Sequence, residues 1–342
     1  MEAGAIFKSG EILGNAILDR GISDAKISET EILEPESTQA VVVVPTTSQV
    51  ACDVNGNGIS DVMFQWTGGD YQVGFWLDGT SKWQSDAVAQ PSNWDVIGAK
   101  DINSDQYADV LMFGNIDEPG MVAGAYIGYY KNANMRDWVT IGFLTKTAGV
   151  TWDVMSGNIT GNAGKNSIVW HSKELGALGI WADGTQEWIA IGTGYDANWE
   201  MVGIGDLNGD GKDNIIFENA GALYATDIDN NFTTLANFGA EWDVRAVGDF
   251  AKDGKKDIIL FHEETGTTVK LNNGYQEGYE VLGQLDAKDW FIVGAGDYNN
   301  DQAEDLLVRQ YSTGMLGYYQ NGDMSRWVEM GRGVDMNWTV IA

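Results

Sequence analysis

Six short stretches of this chain carry acidic and amide side chains spaced so that their oxygens could close on one cation. The first reads Asp53-Val54-Asn55-Gly56-Asn57-Gly58-Ile59-Ser60-Asp61. Related nine-residue stretches run from Asp101 to Asp109, Asn158 to Asn166, Asp206 to Asn214, Asp249 to Asp257 and Asp297 to Asp305. The shared pattern is close to D-x-[DN]-x-[DN]-G-x-x-D. It offers side-chain oxygens at positions 1, 3, 5 and 9 and a main-chain carbonyl at position 7. Calcium takes about six to eight hard oxygen ligands, so these are candidate calcium loops. A lone Asp/Asn/Gly cluster would read as an ordinary turn. Six copies in register, each followed by an apolar segment, argue for the metal.

Copy by copy, the ligand sets differ. The first loop offers Asp53, Asn55, Asn57, the Ile59 carbonyl and Asp61, and the second Asp101, Asn103, Asp105, the Tyr107 carbonyl and Asp109. The fourth offers Asp206, Asn208, Asp210, the Lys212 carbonyl and Asn214; the sixth offers Asp297, Asn299, Asp301, the Ala303 carbonyl and Asp305. Ala251 takes position 3 of the fifth loop, leaving Asp249, Asp253, the Lys255 carbonyl and Asp257 as a weaker set. The third loop has only Asn158, Thr160, Asn162 and Asn166. Without a carboxylate the dehydration of the ion is not offset, so this loop is expected to hold no metal. The count is therefore about four strong calcium sites and one weaker.

The spacing of the loops dictates what must carry them. Their first positions fall at 53, 101, 158, 206, 249 and 297, a mean period close to 49 residues. A period of that length signals a repeat architecture. A tryptophan keeps step ahead of each loop from the second onward, at Trp94, Trp152, Trp199, Trp242 and Trp290, and Trp338 opens the same phrase at the C-terminus. In the second repeat, strands are predicted over 94–100, 108–113, 123–131 and 138–142. The turn between the last two recurs as Asp78-Gly79, Asp183-Gly184, Asn273-Gly274 and Asn321-Gly322, which are strong hairpin signals. Four antiparallel strands per unit of this length make a β-propeller blade.

The expected fold is therefore all-β, a six-bladed β-propeller of four-stranded antiparallel blades. Trp338 to Ala342 would pair with the first repeat and close the ring, leaving no open sheet edge. A competing reading gives that inner strand to 48–52, and seven blades is the alternative count. The propeller is assigned to residues 40–342. Residues 1–39 are set apart as a short β-rich, solenoid-like segment and linker, without tryptophan or an acidic loop. The run Ala40-Val41-Val42-Val43-Val44 is predicted to be a strand.

Residues Gly205-Asp206-Leu207-Asn208-Gly209-Asp210-Gly211-Lys212, with Ile215-Ile216-Phe217, and their counterparts elsewhere resemble the FG-GAP/VCBS repeat β-propellers, which include the integrin α-subunit head. The resemblance covers about residues 53–342. It implies a calcium-stabilised propeller of secreted or cell-surface proteins, often binding carbohydrate or protein. The third loop departs from the pattern, and residues 1–52 lie outside it.

Composition narrows the function further. Fifty acidic against 20 basic residues give a formal net charge of −30 over 342 residues, a surface that repels nucleic acid and anionic membranes. The single Cys52 excludes an internal disulfide. No apolar run reaches membrane-spanning length, and the N-terminus lacks the pattern of a signal peptide. The two histidines, His171 and His262, read as surface or packing residues, and no catalytic motif is visible. A second tryptophan set, Trp83, Trp138, Trp188 and Trp327, opens the fourth strands nearer the rim. The expectation is a non-catalytic, calcium-stabilised binding or adhesion module, a monomer or part of a longer chain, recognising carbohydrate or protein. The alternatives are an extracellular polysaccharide-processing lyase or glycosidase, and a purely structural repeat of a surface protein.

Overall fold

The computed structural model describes residues 42–43, 52–68, 72–85, 94–116, 124–145, 149–275 and 278–341. Six four-stranded antiparallel blades stand in a ring, a six-bladed β-propeller. The second blade comprises Trp94–Lys100, Asp109–Ile116, Gly124–Tyr130 and Trp138–Thr145; the third, Trp152–Gly157, Ser167–Ser172, Ala177–Trp181 and Trp188–Thr193. The fourth comprises Glu200–Gly205, Asn214–Asn219, Ala222–Thr226 and Phe232–Asn237, and the fifth Trp242–Gly248, Asp257–His262, Thr267–Leu271 and Tyr279–Gln284. The sixth comprises Trp290–Gly296, Asp305–Gln310, Leu316–Tyr319 and Trp327–Gly331.

The first blade is built from both ends of the chain. Val62–Trp66, Val73–Leu77 and Lys82–Ser85 are its outer three strands, and Trp338–Ile341 is its inner one. The register sets Met63 opposite Ile341 and Trp66 opposite Trp338. This is the expected closure; residues 48–51 of the competing reading lie outside the described residues. Arg309, 2% exposed, locks the returning chain by donating to the carbonyls of Trp338 (2.6 Å), Val334 (3.1 Å) and Asp335 (3.0 Å). Residues 1–39 lie outside the described residues. Of the predicted Ala40–Val44 strand, Val42–Val43 is described, and it pairs in parallel with Trp152 and Asp153 on the inner strand of the third blade.

Each blade is covered on both faces by its neighbours, and its second strand is correspondingly a continuous apolar run. Ile258, Ile259, Leu260 and Phe261 are all buried. The buried apolar clusters span adjoining blades, so the core lies between the blades. The fourth strand is the rim: Tyr279, Glu280 and Val281 are exposed.

The two tryptophan sets meet within the blades. Trp94 packs edge-on against Trp138 with ring centroids 4.8 Å apart, Trp338 against Trp83 at 5.1 Å, and Trp290 against Trp327 at 5.6 Å. Glycine on the third strand makes room: a Cβ at Gly74, Gly128, Gly179 or Gly317 would fall 2.2–2.5 Å from the fourth-strand indole. Most of the second set therefore packs instead of forming a separate outer surface, with Trp83, 46% exposed, the one large exposed member. His171 is fully buried between the Asp153 carboxylate and the Tyr195 carbonyl, as a packing residue.

Candidate metal loops and the channel

In the second to sixth blades the acidic loop connects the inner strand to the second strand, and in the first it leads into the second strand Val62–Trp66, so all six gather at one end of the ring. The first-position Asp organises the turn with its own oxygens. Asp53 Oδ1 accepts from the N–H groups of Gly56 (2.7 Å) and Asn57 (3.1 Å), and Oδ2 from Gly58 (2.7 Å). Asp206 does the same with Gly209, Asp210 and Gly211, and Asp249 and Asp297 accept from the N–H groups of positions 5 and 6. The position-7 N–H donates to the position-5 side chain in all five carboxylate-bearing loops: Ile59 to Asn57, Tyr107 to Asp105, Lys212 to Asp210, Lys255 to Asp253 and Ala303 to Asp301. Positions 4 and 6 are left-handed. Ser104, Gln106, Lys252, Asn300 and Gln302 therefore adopt positive φ (56–75°) where the first and fourth loops have glycine.

Position 9 is the anchor. Asp61, Asp109, Asp257 and Asp305 are buried at 0–1% exposure where the loop enters the second strand. Asp61 takes the Val54 N–H on Oδ2 (2.9 Å) and the Asp78 N–H on Oδ1 (2.8 Å). Asp109 and Asp305 repeat both bonds, and Asn214 keeps the first by accepting from Leu207. Asp257 accepts from Asn273, but its Oδ2 is buried with no donor. Burial pushes these carboxyls up, to about 6 for Asp61 and Asp109 and about 7 for Asp305. Neighbouring loop carboxylates push the same way, while the N–H donors oppose them. Such crowding of buried negative charge is what a bound cation relieves.

The loop residues fit calcium on donor chemistry. Each carboxylate-bearing loop supplies carboxylate and main-chain carbonyl oxygens within nine residues, most with amide oxygens beside them, and a buried carboxylate oxygen in the fifth loop has no hydrogen-bond partner. Among the described residues no three His, Cys, Asp or Glu side chains form a ready metal cluster. An ion in these loops would need Asn and main-chain oxygens for the balance.

The third loop carries one residue more than the others. Ser167 stands where position 9 should, at the start of the strand, and its Oγ accepts from Asp183 N–H (3.1 Å). The sequence placed Asn166 at that position. Asn166 instead donates its amide to the Asp101 carbonyl of the second loop (2.7 Å). That bond belongs to a ring. In every other blade the position-8 N–H donates to the position-1 carbonyl of the preceding loop: Ala108 to Asp53, Asp213 to Asn158, Lys256 to Asp206, Glu304 to Asp249 and Ser60 to Asp297, all at 2.8–2.9 Å.

The other end of the ring opens on a central cavity of about 640 Å³. Its apolar wall includes Val96, Val154, Met155, Ile292 and Val340, and its polar groups include Gln65, Asp95, Lys100, Arg245, Glu263 and Tyr311. Of the polar groups, Gln65, Lys100, Arg245, Glu263 and Tyr311 stand at positions that do not repeat, whereas Asp95 recurs as Asp153 and Asp243. Register breaks between Val96 and Gly98, Met201 and Gly203, Val244 and Ala246, and Ile292 and Gly294 leave one inner-strand residue unpaired in each of four blades. A bulge re-aims its side chain. That residue is Ile97, Val202 and Val293 in three blades and Arg245 in the fifth. Arg245 reaches Asp243 (2.8 Å) and Glu263 (2.5 Å). Tyr311, 49% exposed, packs on Phe291 with ring centroids 4.5 Å apart. Gln65 is 7% exposed and its Nε2 has no partner. Lys100 ends its inner strand where four other blades have Gly157, Gly205, Gly248 and Gly296. Burial pushes its ammonium down, against the opposing fields of Asp213 and Glu304.

No family model matches this chain, and no curated protein matches it. Solved structures do. A nidogen/laminin complex chain superposes with a TM-score of 0.51 at 13% identity, covering 82% of this chain and 98% of that one. An Agrocybe aegerita lectin, described for its recognition of non-reducing terminal N-acetylglucosamine, superposes with a TM-score of 0.51 at 16% identity, covering 87% and 81%. At such identities the likeness is one of fold.

Proposed function

We propose that this chain is a non-catalytic binding module of a secreted or cell-surface protein, held in shape by calcium in its acidic loops and recognising carbohydrate or protein at the opposite end. The observation that carries this reading is the division of the ring. One end repeats the same ligand chemistry blade after blade, while the cavity is lined by residues that do not repeat: Arg245, Glu263 and Tyr311. Repetition serves the scaffold, and specificity comes from the positions that differ. Asp53, Asp101, Asp206, Asp249 and Asp297, with the other donors of their loops, would hold the ions; bound calcium supplies fixed positive charge that rigidifies the turns. The exposed Tyr311 ring offers a face on which a sugar or an aromatic side chain can stack. Structures of like fold include one described as a lectin and one as a nidogen/laminin complex, which supports a carbohydrate or protein ligand.

The test is a glycan and extracellular-protein array, run with calcium and with chelator, on the full chain and on Tyr311→Ala. Binding that requires calcium and is weakened by Tyr311→Ala supports the reading; silent arrays favour a purely structural repeat. A second reading has its own observation. Asp95 and Glu263 line the cavity without belonging to any loop. Burial raises Asp95, and Asp243 beside Glu263 raises the latter despite Arg245, as a general acid requires. Release of reducing ends from a polysaccharide panel, abolished by Glu263→Gln, would favour the enzyme.

A further inference from the structure

The turn between the third and fourth strands touches the acidic loop of its own blade. Asp78 stands at the head of that turn in the first blade, and its Oδ1 receives Nδ2 of both Asn55 (2.8 Å) and Asn57 (2.6 Å), loop positions 3 and 5. Asp183 does the same in the third blade, receiving Thr160 Oγ1 (2.6 Å) and Asn162 Nδ2 (2.6 Å). The second, fifth and sixth blades place Asn132, Asn273 and Asn321 at this point, with the same left-handed backbone (φ 52–54°, against 56° and 53° for the aspartates). Each of these asparagines has a buried Oδ1 that no donor reaches.

The two kinds of turn residue follow a rule. Where loop position 5 is Asn57 or Asn162, the turn residue is Asp78 or Asp183. Where position 5 is Asp105, Asp253 or Asp301, the turn residue is Asn132, Asn273 or Asn321. The fourth blade has Asp210 at position 5, and its turn is closed on the Asp227 carboxylate, which accepts from Asp229 and Asn231. So in the first, second, third, fifth and sixth blades one carboxylate stands either at loop position 5 or at the head of the turn. An Asn–Asp hydrogen bond explains the first and third blades alone. It does not explain three bare amide oxygens in the others, nor the bare Oδ2 of Asp257, itself 1% exposed, beside one of them. A cation with a fixed demand for charge and oxygen explains all of them. Amide nitrogen and oxygen exchange places by a simple flip. Flipped, Asn55 would turn its oxygen toward the same point as Asp78, while Asn57 Oδ1 is held by the Ile59 N–H.

We propose that the head residue of this turn is a cation ligand shared with the loop, and that Asp183 thereby makes the carboxylate-poor third loop a calcium site. This rests on the calcium reading of the loops. The test is calorimetric titration of calcium into the chelator-stripped full chain. Wild type is expected to take up six ions, and Asp183→Asn five. Asp78→Asn should weaken one site by about tenfold or more, and moving the carboxylate in N57D/D78N should restore it. The pair N162D/D183N should likewise recover the sixth ion, which also covers the case in which Asp183→Asn misfolds. If wild type binds calcium and both single variants titrate as it does, the turn residue is no ligand and the loop reading stands. If wild type takes up no calcium, the loop reading falls and this proposal with it.

Discussion

The N–H of Ser60 donates to the carbonyl of Asp297 at 2.8 Å, joining the first acidic loop to the last. It is the closing member of a ring of bonds that ties each loop to the one before it. The loops are thus both the candidate cation sites and the seams of the propeller. Loosening one loop should loosen a blade interface.

Arg309 secures the closure from the other direction. It is buried and gives three charge-assisted bonds to carbonyls of the C-terminal segment. Arg309→Met is expected to destabilise the chain by about 2–4 kcal/mol, because three carbonyls lose their donor and the last strand loses its clasp. Denaturant unfolding measures this. A loss below about 0.5 kcal/mol would show that strand pairing at Trp338–Ile341 suffices.

Gly317 faces the Trp327 indole and the Val328 carbonyl. A Cβ there would lie 2.4 Å from the carbonyl oxygen and 2.5 Å from the ring. Gly317→Ala is expected to cost about 1–3 kcal/mol through overpacking. Loss of the Trp290–Trp327 contact should show as a red shift in tryptophan emission. Wild-type stability and spectrum would mean that the indole pair is not a fixed feature.

Asn166 replaces a main-chain donor with a side-chain one. Asn166→Ala is expected to cost about 1 kcal/mol and to speed amide exchange in the second and third loops. Unchanged exchange would remove this bond from the ring.

The acidic loops and blade count were legible because their chemistry repeats at a constant period. The Asn166 position was misread because an inserted residue still left an amide in the right phase; only strand pairing shows Ser167 in its place. Arg245 was invisible as a channel residue because a bulge, not alternation, turns it inward. Asp78 and Asn273 looked like hairpin residues, and they are: positive φ accounts for their type locally. Their facing of the loop depends on contacts across strands that spacing does not reveal.

The pH response has a definite sign in the metal-free chain. Burial raises Asp305 from 3.8 to about 7, so its contribution is intact below pH 3.8 and is lost as pH rises through about 7. Asp61 and Asp109, raised to about 6, act in the same direction. Chelated protein is therefore expected to be less stable at pH 8 than at pH 5.5, and Asp305→Asn should flatten the difference. Thermal melts in chelator at the two pH values decide it; a chelated protein more stable at pH 8 would mean that these carboxyls are not buried as described.

Calcium in the loops is the claim on which the rest depends. The direct measurement is the calorimetric melting temperature of the full chain at pH 7.5 in calcium and in excess chelator. Several sites, each stabilising by about 1–3 kcal/mol at saturating ion, should raise the melting temperature by about 5 °C or more. Superimposable melting curves in the two conditions would contradict the account.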